Sequence, residues 1–213
     1  MTQTVRKRLS REESRAQTRV HLLEAAEKLF ARKGFEATSV EDVAEEAGYS
    51  RGALYSNYTG KEELLTALIT KCFERDIGQV NRVLEGNLTV LERHHLIVNH
   101  LLSDTLPKEQ LLLQHEFRSC SLRYEAVRQV YTRLLETLEE SIGTLIERHA
   151  RDLGLSLPLE GKVLASTLTS LRNGMTSQHY LFPERTLKNA TADLFYRLLG
   201  TNLEQISFED LEK

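Results

Sequence analysis

VEDVAEEAGYSRGALYSNY, residues 40–58, decides how this chain is read. Val40, Val43, Ala44 and Ala47 recur at helical spacing, so one face of a short helix is apolar. Ser39 precedes it and Asp42 stands at its third position, the pattern of a capping box that satisfies free backbone N–H groups. Gly48 supplies the left-handed turn conformation that a side chain resists. Ser50 can then cap a second helix whose Leu54 and Tyr58 point inward. Arg51, Gly52, Tyr55 and Asn57 are left on other faces, near the positive end of that helix. Two apolar-faced helices joined at a glycine turn describe a helix-turn-helix, whose second helix sits in the DNA major groove. The same spacing also fits an ordinary helical hairpin, so the flanking sequence has to separate the two.

Upstream, residues 12–33 read as one helix in which Leu22, Ala25, Ala26, Leu29 and Phe30 form a stripe able to cover the two short helices from behind. Gly34 ends it as a glycine cap, with Phe35 folding back. Net charge is −3, but its distribution says more than its sum. Residues 1–19 hold Arg6, Lys7, Arg8, Arg11, Arg15 and Arg19 against Glu12 and Glu13, a local balance of +4. Residues 72–213 hold 16 basic and 20 acidic side chains, a balance of −4. Positive charge therefore gathers beside the two short helices, where it can neutralise phosphates or simply form a solvated tail.

At this point the residues resemble a known family. TRVHLLEAAEKLFARKGFEATSVEDVAEEAGYSRGALYSNYTGKEELL, residues 18–65, looks like the DNA-binding domain of the TetR/AcrR family of bacterial transcriptional regulators. AxxLF followed by a glycine, T-S-V, AxxAG, G-x-L-Y and a final K-x-x-L fall in order over about a quarter of the chain. Tyr58 departs from the usual Phe, and Gly60 stands where a better N-cap is common. The resemblance implies a DNA-binding homodimer on a palindromic operator, usually a repressor released by a small molecule. It places Arg51, Gly52, Tyr55, Asn57 and Lys61 on the DNA-facing positions. Their chemistry agrees. Arg51 can reach a guanine edge with two hydrogen bonds. Gly52 permits close approach, and Ser50, Tyr55, Asn57 and Lys61 can bond phosphates. Glu41 and Asp42 would repel phosphates and are assigned to capping.

Lys61 opens a helix over 61–84, and a boundary inside it separates a DNA-binding domain, 1–71, from a ligand-binding and dimerisation domain, 72–213. The remainder predicts helices at 89–105, 107–122, 123–153, 159–181 and 183–203, an all-α chain of about nine helices. Prolines at the starts of several fit their preference for a first turn. Leu164, Leu168, Leu171, Met175 and His179 form one stripe of the penultimate helix, and Val163, Thr167, Ser170, Gly174 and Ser177 a second of small residues. Leu187, Ala190, Leu194, Phe195, Leu198 and Leu199 follow in the last helix. The resemblance implies that these two helices build the homodimer interface; an intramolecular core is the other reading.

His115, Arg118, Cys120, Tyr124, Asn173, Gln178, His179 and Tyr180 interrupt apolar helical runs, the mix that suits a largely apolar pocket with polar anchors. No cofactor is implied. Glu92 and His95 make a lone ExxH, whereas a di-iron bundle needs two, so no metal is expected. No nucleophile elbow or metal-assisted motif points to an enzyme. Two cysteines make no disulfide framework, no apolar run reaches a membrane span, and the N-terminus lacks a signal core, which together predict a cytoplasmic protein. Two functions stay open: a regulator released by a small ligand, and an architectural DNA-binding protein of the same fold without that switch.

Overall fold

The computed structural model describes residues 10–184 and 189–201, and among them every regular element is helical. The helices are α1 (Arg11–Lys33), α2 (Val40–Glu46), α3 (Arg51–Tyr55), α4 (Lys61–Glu85), α5 (Val90–Leu96), α6 (Lys108–Arg123), α7 (Glu125–Asp152), α8 (Gly161–Leu181) and α9 (Ala190–Leu198). They fall into two units. One runs to Thr70 and also takes in Leu112–Tyr131; the other comprises Lys71–Leu111 and the chain from Thr132 onward. The sequence pattern groups 112–131 with the C-terminal part; in the fold it packs with the first unit.

The first unit is built from α1 outward. Ser10 and Glu13 form a reciprocal capping box at its start, and the Gly34 N–H donates to the Phe30 carbonyl at its end. Its expected stripe is the buried one: Leu22, Ala25, Ala26, Leu29 and Phe30 all lie inside. Val43 and Ala44 of α2, Leu54 of α3, Tyr58, and Leu64, Leu65, Leu68 and Ile69 of α4 are buried in the same unit. Burying a side chain of this kind contributes about 1.5–3 kcal/mol, so helices too short to stand alone are held by what they cover. Gly60 is a weak helix start, and Glu63 compensates by accepting the Thr59 N–H (2.6 Å) and hydroxyl (2.7 Å).

The second unit has its own core: Ile97, Leu102, Ile142, Leu145, Ile146, Leu164, Leu168, Phe195 and Tyr196, among others. α7 and α8 approach closely at Gly143 and Gly161. A Cβ on Gly143 would stand 2.7 Å from the Lys162 backbone nitrogen, so no larger residue fits there without movement. Three expectations change. The helix expected over 89–105 is shorter: α5 passes into a π-helical segment, Ile97–Leu101, and the chain then leaves the helix. This frees Asp104, which is buried and accepts the Thr191 backbone N–H (3.2 Å) and hydroxyl at the start of α9. The last helix begins at Ala190, not Pro183, and the Asp104 carboxylate does the capping that the Asn189 side chain does not. Among the described residues, Pro107 is the one proline that adjoins a helix start. The expected contribution of Leu187 lies outside the described residues.

Candidate nucleic-acid interface

The α2–α3 hairpin is fixed at every joint. Ser39 Oγ accepts the Asp42 N–H (3.0 Å), and Asp42 Oδ2 accepts the Ser39 N–H (2.9 Å). These bonds hold the Asp42 carboxyl below its ordinary range. After α2, the Tyr49 N–H reaches the Ala44 carbonyl (2.8 Å) and the Gly48 N–H the Glu45 carbonyl (3.0 Å). This paired closure needs a left-handed residue, and Gly48 has φ +75°. The Tyr49 hydroxyl lies 2.8 Å from His21 Nδ1, tying the turn to α1. Ser50 then caps α3 by accepting the Ala53 N–H at 3.2 Å.

The far end of α3 is held by cations. Its last carbonyls carry the negative end of the helix dipole, which favours positive groups there. Arg15 donates to the Ser56 carbonyl (3.1 Å) and to Asn57 Oδ1 (3.4 Å), and Arg19 to the Asn57 carbonyl (2.6 Å). The Arg19 guanidinium also lies over the Tyr58 ring, 4.4 Å from its centroid. Lys61 donates to the carbonyls of Phe35 (2.8 Å) and Glu36 (3.3 Å) and sits 4.3 Å from the Phe35 ring centroid. On the other side of the same loop, Glu116 of α6 accepts the Phe35 N–H at 2.9 Å.

This arrangement sorts the expected interface residues. Ser50, Arg51, Gly52 and Tyr55 are exposed on α3 and its cap. Asn57 is buried, its amide nitrogen donating to the Ala53 carbonyl (2.8 Å) and Ser56 Oγ (3.3 Å). It therefore has no spare donor for a phosphate in this conformation. Lys61 spends two of its three N–H groups on loop carbonyls and keeps one. Arg15 and Arg19, read from the sequence as part of a basic arm, serve α3 instead; Arg6, Lys7 and Arg8 lie outside the described residues. Glu41 caps nothing: its Oε1 stands 2.9 Å from Arg51 Nε, a correction to its expected role.

The expected pocket residues divide between the units. His115 is exposed on α6, Arg118 donates to the Tyr131 hydroxyl (3.3 Å), and the Tyr124 hydroxyl donates to Glu36, all in the first unit. Cys120 is buried there, its thiol pushed up to about 11 by burial and by the nearby Glu116 and Glu36 carboxylates. Asn173, Gln178 and His179 belong to the second unit, where Asn173 is buried and the Tyr180 hydroxyl donates to the Leu106 carbonyl (2.6 Å). Sequence reasoning missed a polar chain in that unit. Tyr196 O–H lies 2.8 Å from His94 Nδ1 and 3.0 Å from His149 Nε2, all three buried. Burial, then the neighbouring His94 and Arg93, depresses His149 to about 4. Beside it, buried Arg93 pairs with Asp152. Glu92 serves a capping box with Thr89, so the lone ExxH is a helix start.

Residues 22–68 match the family model described as bacterial regulatory proteins, tetR family. The nucleoid occlusion factor SlmA of Vibrio vulnificus is 26% identical over 162 residues, 76% of this chain and 80% of that protein. The HTH-type transcriptional regulator AcrR of Shigella flexneri is 29% identical over 175 residues, 78% of this chain and 75% of that protein. A transcriptional regulator from Saccharomonospora viridis, solved in complex with choline, superposes with a TM-score of 0.67 at 20% identity, over 82% of this chain and 91% of that one.

Proposed function

Because the chain belongs to the TetR/AcrR family of bacterial transcriptional regulators, we propose that it acts in the cytoplasm as a homodimeric repressor. On this reading it binds a palindromic operator and is released by a small, largely apolar ligand. It is a regulator and not an enzyme. The observation that carries the reading is the α2–α3 hairpin, whose capped helices present Ser50, Arg51, Gly52 and Tyr55 to solvent while Arg15, Arg19 and Lys61 brace its ends. Arg51 reads a base edge; Ser50, Tyr55 and the remaining Lys61 N–H bond phosphates. Asn57 supports α3 from beneath.

Dimerisation uses α8 and α9. Val163, Leu181, Leu194 and Leu198 are exposed, and Thr167, Ser170 and Gly174 continue the α8 face with small residues. Two-fold pairing on this face matches the symmetry of a palindrome. The ligand acts by favouring a dimer geometry whose α3 helices no longer fit successive major grooves. Support for a ligand comes from the fold neighbour that holds choline. The similarity to a nucleoid occlusion factor favours a second reading, a DNA-binding protein whose output is not a small-molecule switch.

The test is selection of binding sites from random double-stranded DNA with the purified protein. A palindrome with half-sites about one helical turn apart, or somewhat further, is expected. Binding without sequence enrichment would overturn the operator reading. Titrating apolar compounds into the selected complex then separates the two functions: release supports the ligand switch, and uniform retention across the series favours the second reading.

A further inference from the structure

One contact on the α2–α3 surface is needed by neither helix. Asp42 and Ser39 hold the start of α2, and Ser50 holds the start of α3. Glu41 is free of both tasks, yet its carboxylate pairs with Arg51 across the hairpin at 2.9 Å, with side chains 53% and 65% exposed. The Arg51 guanidinium carbon also lies 5.4 Å from the Tyr55 ring centroid. Contact is made at Nε, the inner nitrogen of the guanidinium. Tyr55 is a further hydrogen-bonding partner of the same guanidinium, whose terminal Nη1 and Nη2 are the groups that address N7 and O6 of a guanine.

An arginine at a DNA surface has two competing destinations. Phosphate oxygens accept its parallel donors as well as a guanine does and carry a full negative charge. An arginine that goes to phosphate adds affinity for every sequence and discrimination for none. A carboxylate fixed beside it works against that destination twice, by tethering the guanidinium and by repelling the phosphate. We infer that Glu41 is a specificity-determining positioning residue, whose pairing with Arg51 Nε keeps the guanidinium off the backbone and available to a base edge. The inference rests on the proposed reading of Arg51 as the base-reading side chain. Discrimination is then gained by penalising the wrong contact as well as by making the right one.

The test measures binding of the full-length protein by fluorescence anisotropy over a salt series. One probe is the duplex that the wild type selects; the other is a shuffled duplex of equal length and composition. Glu41→Gln should bind the shuffled duplex roughly threefold to tenfold more tightly in the dimer, the range an exposed ion pair per protomer allows. Its affinity for the selected duplex should stay within about twofold, and its salt slope on the shuffled duplex should steepen by about one unit per half-site. Glu41→Asp retains the charge and should keep most of the wild-type preference. In an Arg51→Ala background, Glu41→Gln should no longer steepen the slope. Arg51→Ala alone should cut the preference by about tenfold or more.

The outcomes separate the two claims. If Arg51→Ala lowers the preference while Glu41→Gln shifts both duplexes equally, Glu41 has no positioning role and Arg51 keeps its own. If Glu41→Asp loses as much preference as Glu41→Gln, the carboxylate charge is not the cause. If Arg51→Ala leaves the preference intact, the reading of Arg51 fails and the inference fails with it. Equal thermal midpoints by circular dichroism exclude a folding defect as the source of any change.

Discussion

In the first unit the polar side chains that matter lie along the rim of α3. Arg15 and Arg19 brace its C-terminal end, Lys61 braces the loop before α2, and Arg51 stands out to solvent beside Glu41. In the second, Tyr196 links His94 to His149 inside an apolar core, and buried Arg93 reaches out to pair with Asp152, whose side chain is partly exposed. Contacts at a wet rim are individually weak, because water screens them and competes for every donor. The same groups in a dry core are costly to leave unpaired. The first arrangement sets the direction of a helix, and the second sets the stability of a unit. Substitutions at the rim should therefore move DNA binding with little change in stability, and substitutions in the buried chain should do the reverse.

Acid should expose this difference most strongly. His149 sits near 4 when folded and near its ordinary 6.5 when unfolded, so the folded state binds fewer protons between those values. Its contribution is fully present above the unfolded value and is lost as pH falls through the window from 6.5 to 4, amounting to about 3 kcal/mol by pH 4. His94, also lowered by burial and by His95, acts in the same direction. Urea unfolding at neutral and mildly acidic pH measures the loss, and His149→Gln should flatten it. An unchanged slope in that variant would mean that the histidine is not the sensitive group.

Tyr196→Phe comes next. It leaves the buried nitrogens of His94 and His149 without their shared partner and should cost about 1–3 kcal/mol in urea unfolding. Affinity for the selected duplex, measured under native conditions, should change by less than about twofold. A large loss of DNA binding with unaltered stability would break the proposed division between the units. Arg19→Ala is the matching change at the rim. It removes the donor to the Asn57 carbonyl and the cation over Tyr58, and should weaken every DNA site by several-fold, on the order of 1 kcal/mol. Its salt slope should match the wild type, because Arg19 is proposed to touch the protein and not a phosphate.

These assignments also mark where the sequence was legible. Contacts made within a few residues announced themselves: the Ser39–Asp42 box, the Gly48 turn and the Ser50 cap are local patterns, and the buried face of α1 follows from helical period. Other contacts join residues far apart in the chain and leave no spacing to read. Arg19 meets Asn57 across 38 positions, Asp104 caps α9 across 87, and Tyr196 meets His94 across 102. His149 follows Ile142 and Leu145 at helical spacing along α7, but nothing in that spacing names its partner. Charge was the least reliable guide. Six basic side chains near the N-terminus suggest phosphate contacts, yet the structure gives Arg15 and Arg19 to the carbonyl end of α3.

Lys61 lies between the two kinds of cation, and its expected effect is the smallest. Two of its N–H groups go to the carbonyls of Phe35 and Glu36, which leaves one for a phosphate. If that third donor is used, Lys61→Ala should weaken all sites alike and make the salt slope shallower by about one unit per half-site. If Lys61 only braces the loop between α1 and α2, affinity should fall with the slope unchanged, as for Arg19. Lys61→Met separates the contributions, because it keeps an apolar stem over the Phe35 ring while removing the charge. A shallower slope in both variants assigns the third donor to DNA. A normal slope in both makes Lys61 a brace, and the DNA-facing set then contracts to Ser50, Arg51, Gly52 and Tyr55.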